Sequence, residues 1–285
     1  MNIHFIGGGN MAQAIIGGLL AKGHDAASIT VTEPLASTRQ RLEHEFKLKT
    51  FDGTPGDILE TKIAPALIVL AVKPQQMREV ALSLAPQLCA LTNKPVVLTI
   101  AAGIRLQDLQ RWLGGHTQLA RCMPNTPALI GAGISAVYAA PAVDTVQRDA
   151  IRAVLAAVGQ VLWVDSENQL DPATAVSGSG PAYVFYFIEA LQQAAIELGF
   201  ESQSAQQLAL ETFLGAARLA ARSTDPVSVL RERVTSKGGT TERALASLQA
   251  SAVKQHIVDA VLAANARAIE LGIQLGTDPT PGSTS

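Results

Sequence analysis

The sequence is poor in aromatic side chains, 4% of its 285 residues, and poor in charge, with 16% charged residues and a formal net of −2. A balance so near neutrality gives no global electrostatic case for a nucleic acid or an anionic membrane as partner. Cysteine is almost absent, and the only two, Cys89 and Cys122, stand far apart. They form neither a disulfide framework nor a thiolate metal site and read as buried free thiols. The five histidines, His4, His24, His44, His116 and His256, show no metal-ligand spacing, so no metal is expected. Long hydrophobic runs are missing too. The longest, Ala64 to Val72, contains Pro65 and is far too short to cross a bilayer. β-forming residues begin by Ile3, which leaves no room for a signal peptide, and a cytoplasmic protein is the expectation.

What is present is apolar mass. Hydrophobic residues make up 48% of the chain, chiefly Ala, Leu, Val and Ile, as suits a soluble globular enzyme, and the length allows two domains. The chain is organised around its start. Ile3, Phe5 and Ile6 form β-prone sequence directly before a glycine run, and Gly7, Gly9 and Ala12 fit G-x-G-x-x-A. Beyond Met11, apolar residues recur at helical spacing: Ala12, Ile15, Ile16, Leu19, Leu20. Strand, tight turn and helix in that order are the context that gives the glycine pattern meaning. Gly7 allows the turn, Gly9 lets backbone approach a pyrophosphate, and Ala12 lets the helix pack on the sheet. The helix N-terminus offers N–H groups and partial positive charge to phosphates.

Ser28 to Thr32 lies about 25 residues after the first strand, where the second strand of a βαβ unit belongs. It ends in Glu33, which either accepts ribose hydroxyls, as in NAD sites, or only ends the strand; Ser37, Thr38 and Arg39 could receive a 2′-phosphate. Arg39–Phe46 reads as a helix and Lys47–Thr50 as a short strand. Leu67–Val72 is a continuous apolar run, as a strand buried on both faces requires, and its following turn, Lys73-Pro74-Gln75, faces the cofactor cleft. Met77–Leu91 is helical. Pro95–Ile100 is a strand ending in Ala101-Ala-Gly103, small enough for a ring or ribose to lie on backbone. Helix Ile104–Leu113 and strand Gln118–Met123 follow. Asn125 and Thr126, between two prolines, are either ligand contacts or turn residues. Strand Gly131–Tyr138, helix Val143–Val158 with Gly159 as its C-cap, and strand Gln160–Val164 complete an alternating pattern. This predicts an α/β fold, a doubly wound, mostly parallel, Rossmann-like sheet over residues 1–164.

After Asp165 no strand-like alternation returns. Helices are expected over Leu170–Leu198, Ser204–Ala221, Pro226–Val234, Thr241–Ala250 and Val253–Leu271, so residues 165–275 form an all-helical domain, with a disordered tail over 276–285. Two stretches there invite a second reading. Ser177-Gly-Ser-Gly-Pro-Ala-Tyr183 puts helix breakers inside a helix, for close packing or a ligand face. Val234-Thr-Ser-Lys-Gly-Gly-Thr-Thr-Glu-Arg243 is either an ordinary turn or a helix-opening anion site.

Together these stretches resemble one family, the pyrroline-5-carboxylate reductases. The matching motifs are Phe5-Ile-Gly-x-Gly-Asn-Met-Ala-x-Ala-Ile15, Ala71-Val-Lys-Pro-Gln75, Ile100-Ala-Ala-Gly103, Arg121-Cys-Met-Pro-Asn-Thr-Pro127, Ala175 to Tyr183 and Leu230 to Glu242. They follow the family's order over nearly the whole chain. The resemblance implies reduction of 1-pyrroline-5-carboxylate to proline, with NADP(H) favoured and NAD(H) also used. It implies a homodimer through the helical domain, or a ring of such dimers. Carried over by motif, Ile6, Gly7, Gly8, Gly9, Asn10 and Met11 hold the pyrophosphate. Ala71, Val72, Lys73 and Pro74, with Ile100, Ala101 and Ala102, line the riboses. Glu167, Ser236, Gly239, Thr240 and Thr241 meet the substrate, with the Thr241 hydroxyl bonding the imine nitrogen. Two positions depart from the family: Lys237 replaces a common proline, and Glu33 replaces a common small polar residue. No residue is carried over from 50–65, which lack asparagine. The β-hydroxyacid dehydrogenases share this architecture but need a lysine early in the long helix, and none occurs between Ser166 and Gly199.

Overall fold

A computed structural model describes residues 1–53 and 64–277. Its strands are β1 (Ile3–Ile6), β2 (Ile29–Thr32), β3 (Lys49–Phe51), β4 (Leu67–Leu70), β5 (Val96–Thr99), β6 (Leu119–Met123), β7 (Gly133–Ala139) and β8 (Gly159–Trp163). Helices α1 (Asn10–Ala21), α2 (Ala36–Phe46), α3 (Met77–Ala90), α4 (Leu106–Trp112) and α5 (Thr145–Leu155) run between them. The strands form one sheet in the order β3-β2-β1-β4-β5-β6-β7-β8. Every neighbouring pair is parallel except β6 with β7. The order reverses at β1 and β4, so the crevice beyond their carboxyl ends is the topological switch point where ligands of open α/β sheets bind.

Alternation along the central strands builds two cores. Ile3, Phe5, Leu67, Val69 and Leu98 pack with α1, α2 and α5, while Ile6, Ile68, Leu70 and Val97 pack with α3 and α4. Because both faces are covered, β1, β4 and β5 are buried at every position; β4 reads as an unbroken apolar run, and β1 and β5 are interrupted only by His4 and Thr99.

The helical part begins with α6 (Leu170–Ala173) and continues with α7 (Gly180–Glu197), α8 (Ser202–Arg222), α9 (Val227–Arg233), α10 (Thr240–Ala250) and α11 (Val253–Gly276). The chain divides into two compact units, one of Met1–Ser179 with the chain from Ala264 on, the other of Gly180–Ala263. Within the second, α7 and α8 pack on each other.

Some expectations needed correction. The helix expected over Leu170–Leu198 is broken by a π-helical turn, Thr174–Gly178. Pro181 is the second residue of α7, where a missing N–H costs little. Gly159 does not cap α5, whose C-cap is Ala156. Instead it opens β8 at φ +149°, and a Cβ there would lie 1.9 Å from the Gly133 carbonyl oxygen. Both cysteines are free, but Cys89 is exposed and only Cys122 is buried. Gly276 is the last residue of α11, and the tail expected beyond it falls, after Thr277, outside the described residues.

The centre of the sheet also encloses a histidine. The ring nitrogens of His4 lie 2.7 Å from Thr30 Oγ1 and 3.0 Å from Thr32 Oγ1. Burial pushes its pKa down from 6.5 to about 4. The unfolded chain therefore binds a proton that the folded chain refuses. Stability from the neutral ring is whole above pH 6.5 and is lost as pH falls towards 4, by about 3 kcal/mol in all. His4→Asn should flatten the fall in urea-unfolding free energy between pH 6.5 and 4. Wild-type and variant curves running parallel through that range would refute the assignment.

Candidate active site

The turn between β1 and α1 is built by contact with its neighbours. Gly7 adopts φ +97°, and a Cβ there would sit 2.7 Å from the Ala71 carbonyl oxygen. Its N–H donates to Thr32 O at 2.8 Å, and the Ala71 N–H donates to Ile6 O at 2.8 Å, tying the carboxyl ends of β1, β2 and β4 together. Gly9 is the opposite case: it is exposed, and nothing lies within 4 Å of its would-be Cβ. It is the N-cap of α1, and no side chain caps that helix. The third small residue, Ala12, is buried in the core, as close helix–sheet packing requires.

A cleft of about 490 Å³ opens here, lined by Ile6 to Asn10, Glu33, Thr38, Arg41 and Ala71 to Lys73. The structure thus brings together Ile6, Gly7, Gly8, Gly9, Asn10, Glu33, Ala71, Val72 and Lys73. Met11 and Pro74 adjoin this group in sequence without lining the cleft. Ile100, Ala101 and Ala102 sit at the carboxyl end of β5, joined to β4 by the Ile100 N–H to Leu70 O bond of 3.2 Å. These residues fit a dinucleotide: backbone is open where a pyrophosphate must approach, and an uncapped helix start faces it.

Glu33 is not a free acceptor. Oε2 accepts from Gly8 N at 2.8 Å and Oε1 from Leu35 N at 2.9 Å. Arg39 is turned away, donating to the carbonyls of Glu33 and Pro34 at 2.8 Å each. Arg41 lines the cleft instead and is exposed.

Glu167 lies in the first unit, at the start of the turn before α6. Oε1 accepts from Leu106 N at 2.8 Å and from Arg121 Nη1 at 3.3 Å. Arg121 Nη2 reaches Asp171 Oδ1 at 3.0 Å, and Arg105 lies 4.0 Å from Asp171 Oδ2. Arg121 is only 3% exposed, so this paired fork satisfies a charge that would be costly alone.

The remaining predicted residues belong to the second unit. Gly239 is the N-cap of α10, again without a side-chain cap. Its N–H donates to Ser236 O at 3.0 Å, and Gly238 N–H donates to Glu242 Oε2 at 2.6 Å. Thr240 and Thr241 are the first two helical residues, the former exposed and the latter half-buried, while Ser236 is exposed.

Residues 167–271 match the family model described as pyrroline-5-carboxylate reductase dimerisation, and residues 2–103 match that described as NADP oxidoreductase, coenzyme F420-dependent. A pyrroline-5-carboxylate reductase of Pseudomonas aeruginosa is 43% identical over 274 residues, covering 96% of this chain and 98% of its own. The chain belongs to the pyrroline-5-carboxylate reductase family. The pyrroline-5-carboxylate reductase of Vibrio alginolyticus is 40% identical, covering 94% of this chain and 97% of its own. A solved pyrroline-5-carboxylate reductase from Coxiella burnetii matches with TM-score 0.88 at 39% identity, covering 95% of this chain and 98% of that one. The Plasmodium falciparum pyrroline carboxylate reductase structure with NADP bound matches with TM-score 0.81 at 26% identity over 95% of this chain and 98% of that one.

Within this reductase, sequence reading left four residues without a role: Arg121, Arg105, Asp171 and Gln13. An arginine inside the apolar strand Leu119–Met123 was the available signal, since a charge is buried there only with partners. Asn125 is neither a free ligand contact nor a residue bonded to its own backbone. Its Nδ2 donates to Ser177 O at 3.2 Å, and its Oδ1 accepts from Ile134 N at 2.9 Å. At Gly178 a Cβ would lie 2.5 Å from Met123 Cε, the flexible end of a side chain on β6, so the π-helical turn packs on the sheet there.

Proposed function

We infer that the chain reduces 1-pyrroline-5-carboxylate to L-proline with NAD(P)H, the last step of proline synthesis. The observation that carries the reading is a glycine turn at the sheet's switch point, in a chain that shares the reductases' sequence over nearly its full length. The direct test is oxidation of NAD(P)H with 1-pyrroline-5-carboxylate beside other cyclic imines and 2-keto acids. Turnover on the keto acids alone would refute it.

The nucleotide supplies the hydride, which goes to the imine carbon, and the imine nitrogen takes or keeps a proton. The residues of the chain bind and orient. The turn from Ile6 to Met11 holds the pyrophosphate, and Ala71 to Pro74 with Ile100 to Ala102 line the riboses. Glu167, Ser236, Gly239, Thr240 and Thr241 serve the substrate. With the Gly239 N–H given to Ser236, the N–H groups of Thr240 and Thr241 hold the substrate carboxylate at the start of α10. The Thr241 hydroxyl donates to the imine nitrogen. Positioning, rather than a strong base, supplies most of the acceleration. Cytoplasmic placement suits a reductase of a metabolic intermediate; among the described residues no helix is long and apolar enough to cross a membrane.

NADPH is the favoured nucleotide, with NADH also used. Arg41 and Thr38 on the cleft are suited to a 2′-phosphate, while the Glu33 carboxylate opposes it. The assembly is an obligate homodimer through residues 170–275, or a ring of such dimers. Helices α7 to α10 bury only Ala205 and Ala209 fully, while Phe185, Tyr186 and Leu198 are 60%, 70% and 81% exposed. So much apolar surface on one unit calls for a partner copy.

Three outcomes are expected. Thr241→Ala should lower kcat and kcat/KM together by about 10²–10⁴-fold, with cofactor affinity nearly unchanged, and Thr241→Ser should retain most activity. Full turnover in a destabilised Thr241→Ala would leave the residue only a structural place at the helix start. Glu33→Ser should raise NADPH use relative to NADH; an unchanged ratio would remove Glu33 from discrimination. Sedimentation at micromolar concentration should show no monomer, and a monomer there would contradict the dimer.

A further inference from the structure

The glycine fingerprint assigns no work to Gln13, the residue after Ala12. In the structure its side chain donates to Gly8 O at 2.6 Å, while its main-chain N–H donates to Gly9 O at 2.9 Å. One residue thus holds two successive carbonyls of the turn, the first through its side chain and the second through ordinary helical bonding. The peptide bonds of the described residues are trans, so the N–H of each peptide points opposite to its C=O. With Gly8 O and Gly9 O drawn towards Gln13, the N–H groups of Gly9 and Asn10 point away from the helix. Both residues are exposed and line the dinucleotide cleft. The preceding N–H, that of Gly8, is taken by Glu33 Oε2 at 2.8 Å. Gly8 is therefore gripped from both sides, its donor by Glu33 and its acceptor by Gln13.

We propose that Gln13 is a positioning residue for the phosphates of the dinucleotide: its side chain fixes the Gly8–Gly9 peptide so that Gly9 presents its N–H to the pyrophosphate beside that of Asn10, whose peptide the helix already holds. Glycine is free to turn its peptide plane, and at Gly9 no neighbour lies within 4 Å of a would-be Cβ to restrain it. Without the Gln13 amide, that freedom must be surrendered when the nucleotide binds, and affinity falls by the ordering cost. The contribution is blind to the 2′-phosphate, because the pyrophosphate is common to NADH and NADPH. The proposal rests on the pyridine-nucleotide reading of this cleft.

The test compares wild type with Gln13→Met, which keeps length and helix propensity and removes the donor. Binding of NADPH, NADH and adenosine is measured by calorimetry, with melting temperature and steady-state kinetics on the same preparations. Loss of one hydrogen bond predicts about two- to tenfold weaker binding of both dinucleotides by an equal factor. Adenosine, which has no phosphate, should bind as before, and KM for NADPH should rise at unchanged kcat. Gln13→Leu should repeat the result and serves in place of the first variant if that one does not fold. Unchanged dinucleotide affinity would overturn the proposal, as would an equal loss for adenosine, which marks general loosening of the cleft. A wild-type protein that bound adenosine but neither dinucleotide would instead remove the reading of the cleft itself.

Discussion

The cleft at the glycine turn depends on one close approach: the turn after β1 lies against the main chain at the end of β4 with no space for a side chain between them. Gly7 meets that constraint with a left-handed backbone and no Cβ. Its N–H then reaches β2 while Ala71 reaches back to β1, so three strand ends are fixed relative to one another by main-chain bonds alone. Everything on the cleft inherits its place from this junction. α1 starts where the turn releases the chain, Glu33 meets Gly8 because β2 ends beside it, and Lys73 follows from the end of β4.

A second, electrostatic junction holds the segment after β8. Arg121 projects from β6 and divides its fork between Glu167 and Asp171, one oxygen of Glu167 also meeting the first N–H of α4. The guanidinium from β6 and the first N–H of α4 thus both meet the segment from Glu167 to Asp171. A lysine would carry the charge but not the planar pair of donors that this arrangement uses. The bond from Asn125 to Ser177 O adds a neutral tie between the same part of the sheet and the π-helical turn.

Much of this was legible in the chain. The first strand, turn and helix announced themselves by the change of period at the glycines, and β4 and β5 by apolar runs that only a two-sided core explains. The antiparallel step from β6 to β7 had a signal that was not used: residues 124–132 are too few for a crossover helix, so the chain has to turn back. Gly159 was misread because its reason is not local. It follows α5 like a cap, but the atom that forbids a side chain there belongs to Gly133, on the strand before the helix. The Arg121 network was hidden the same way, with partners 46 and 50 residues away. Glu33 shows a limit of motif reading, since an acidic residue at the end of β2 reads as a ribose acceptor until both oxygens are seen bonded to backbone. Gln13 lies where the motif tolerates any residue, and only the carbonyl it faces gives it meaning.

The contrast between the two units carries a consequence for how the protein endures dilution. The sheet encloses two cores of its own and owes its stability to contacts within one chain. The helices from Gly180 to Ala263 keep few buried side chains and many exposed apolar ones. If those faces are covered by a second copy, their share of the stability is set by mass action: each tenfold fall in concentration takes away about 1.4 kcal/mol of association free energy. The same polypeptide then joins a part that stands alone to a part whose order is a property of the population. The level at which a cell keeps the enzyme would then become one of the terms that hold these helices in shape.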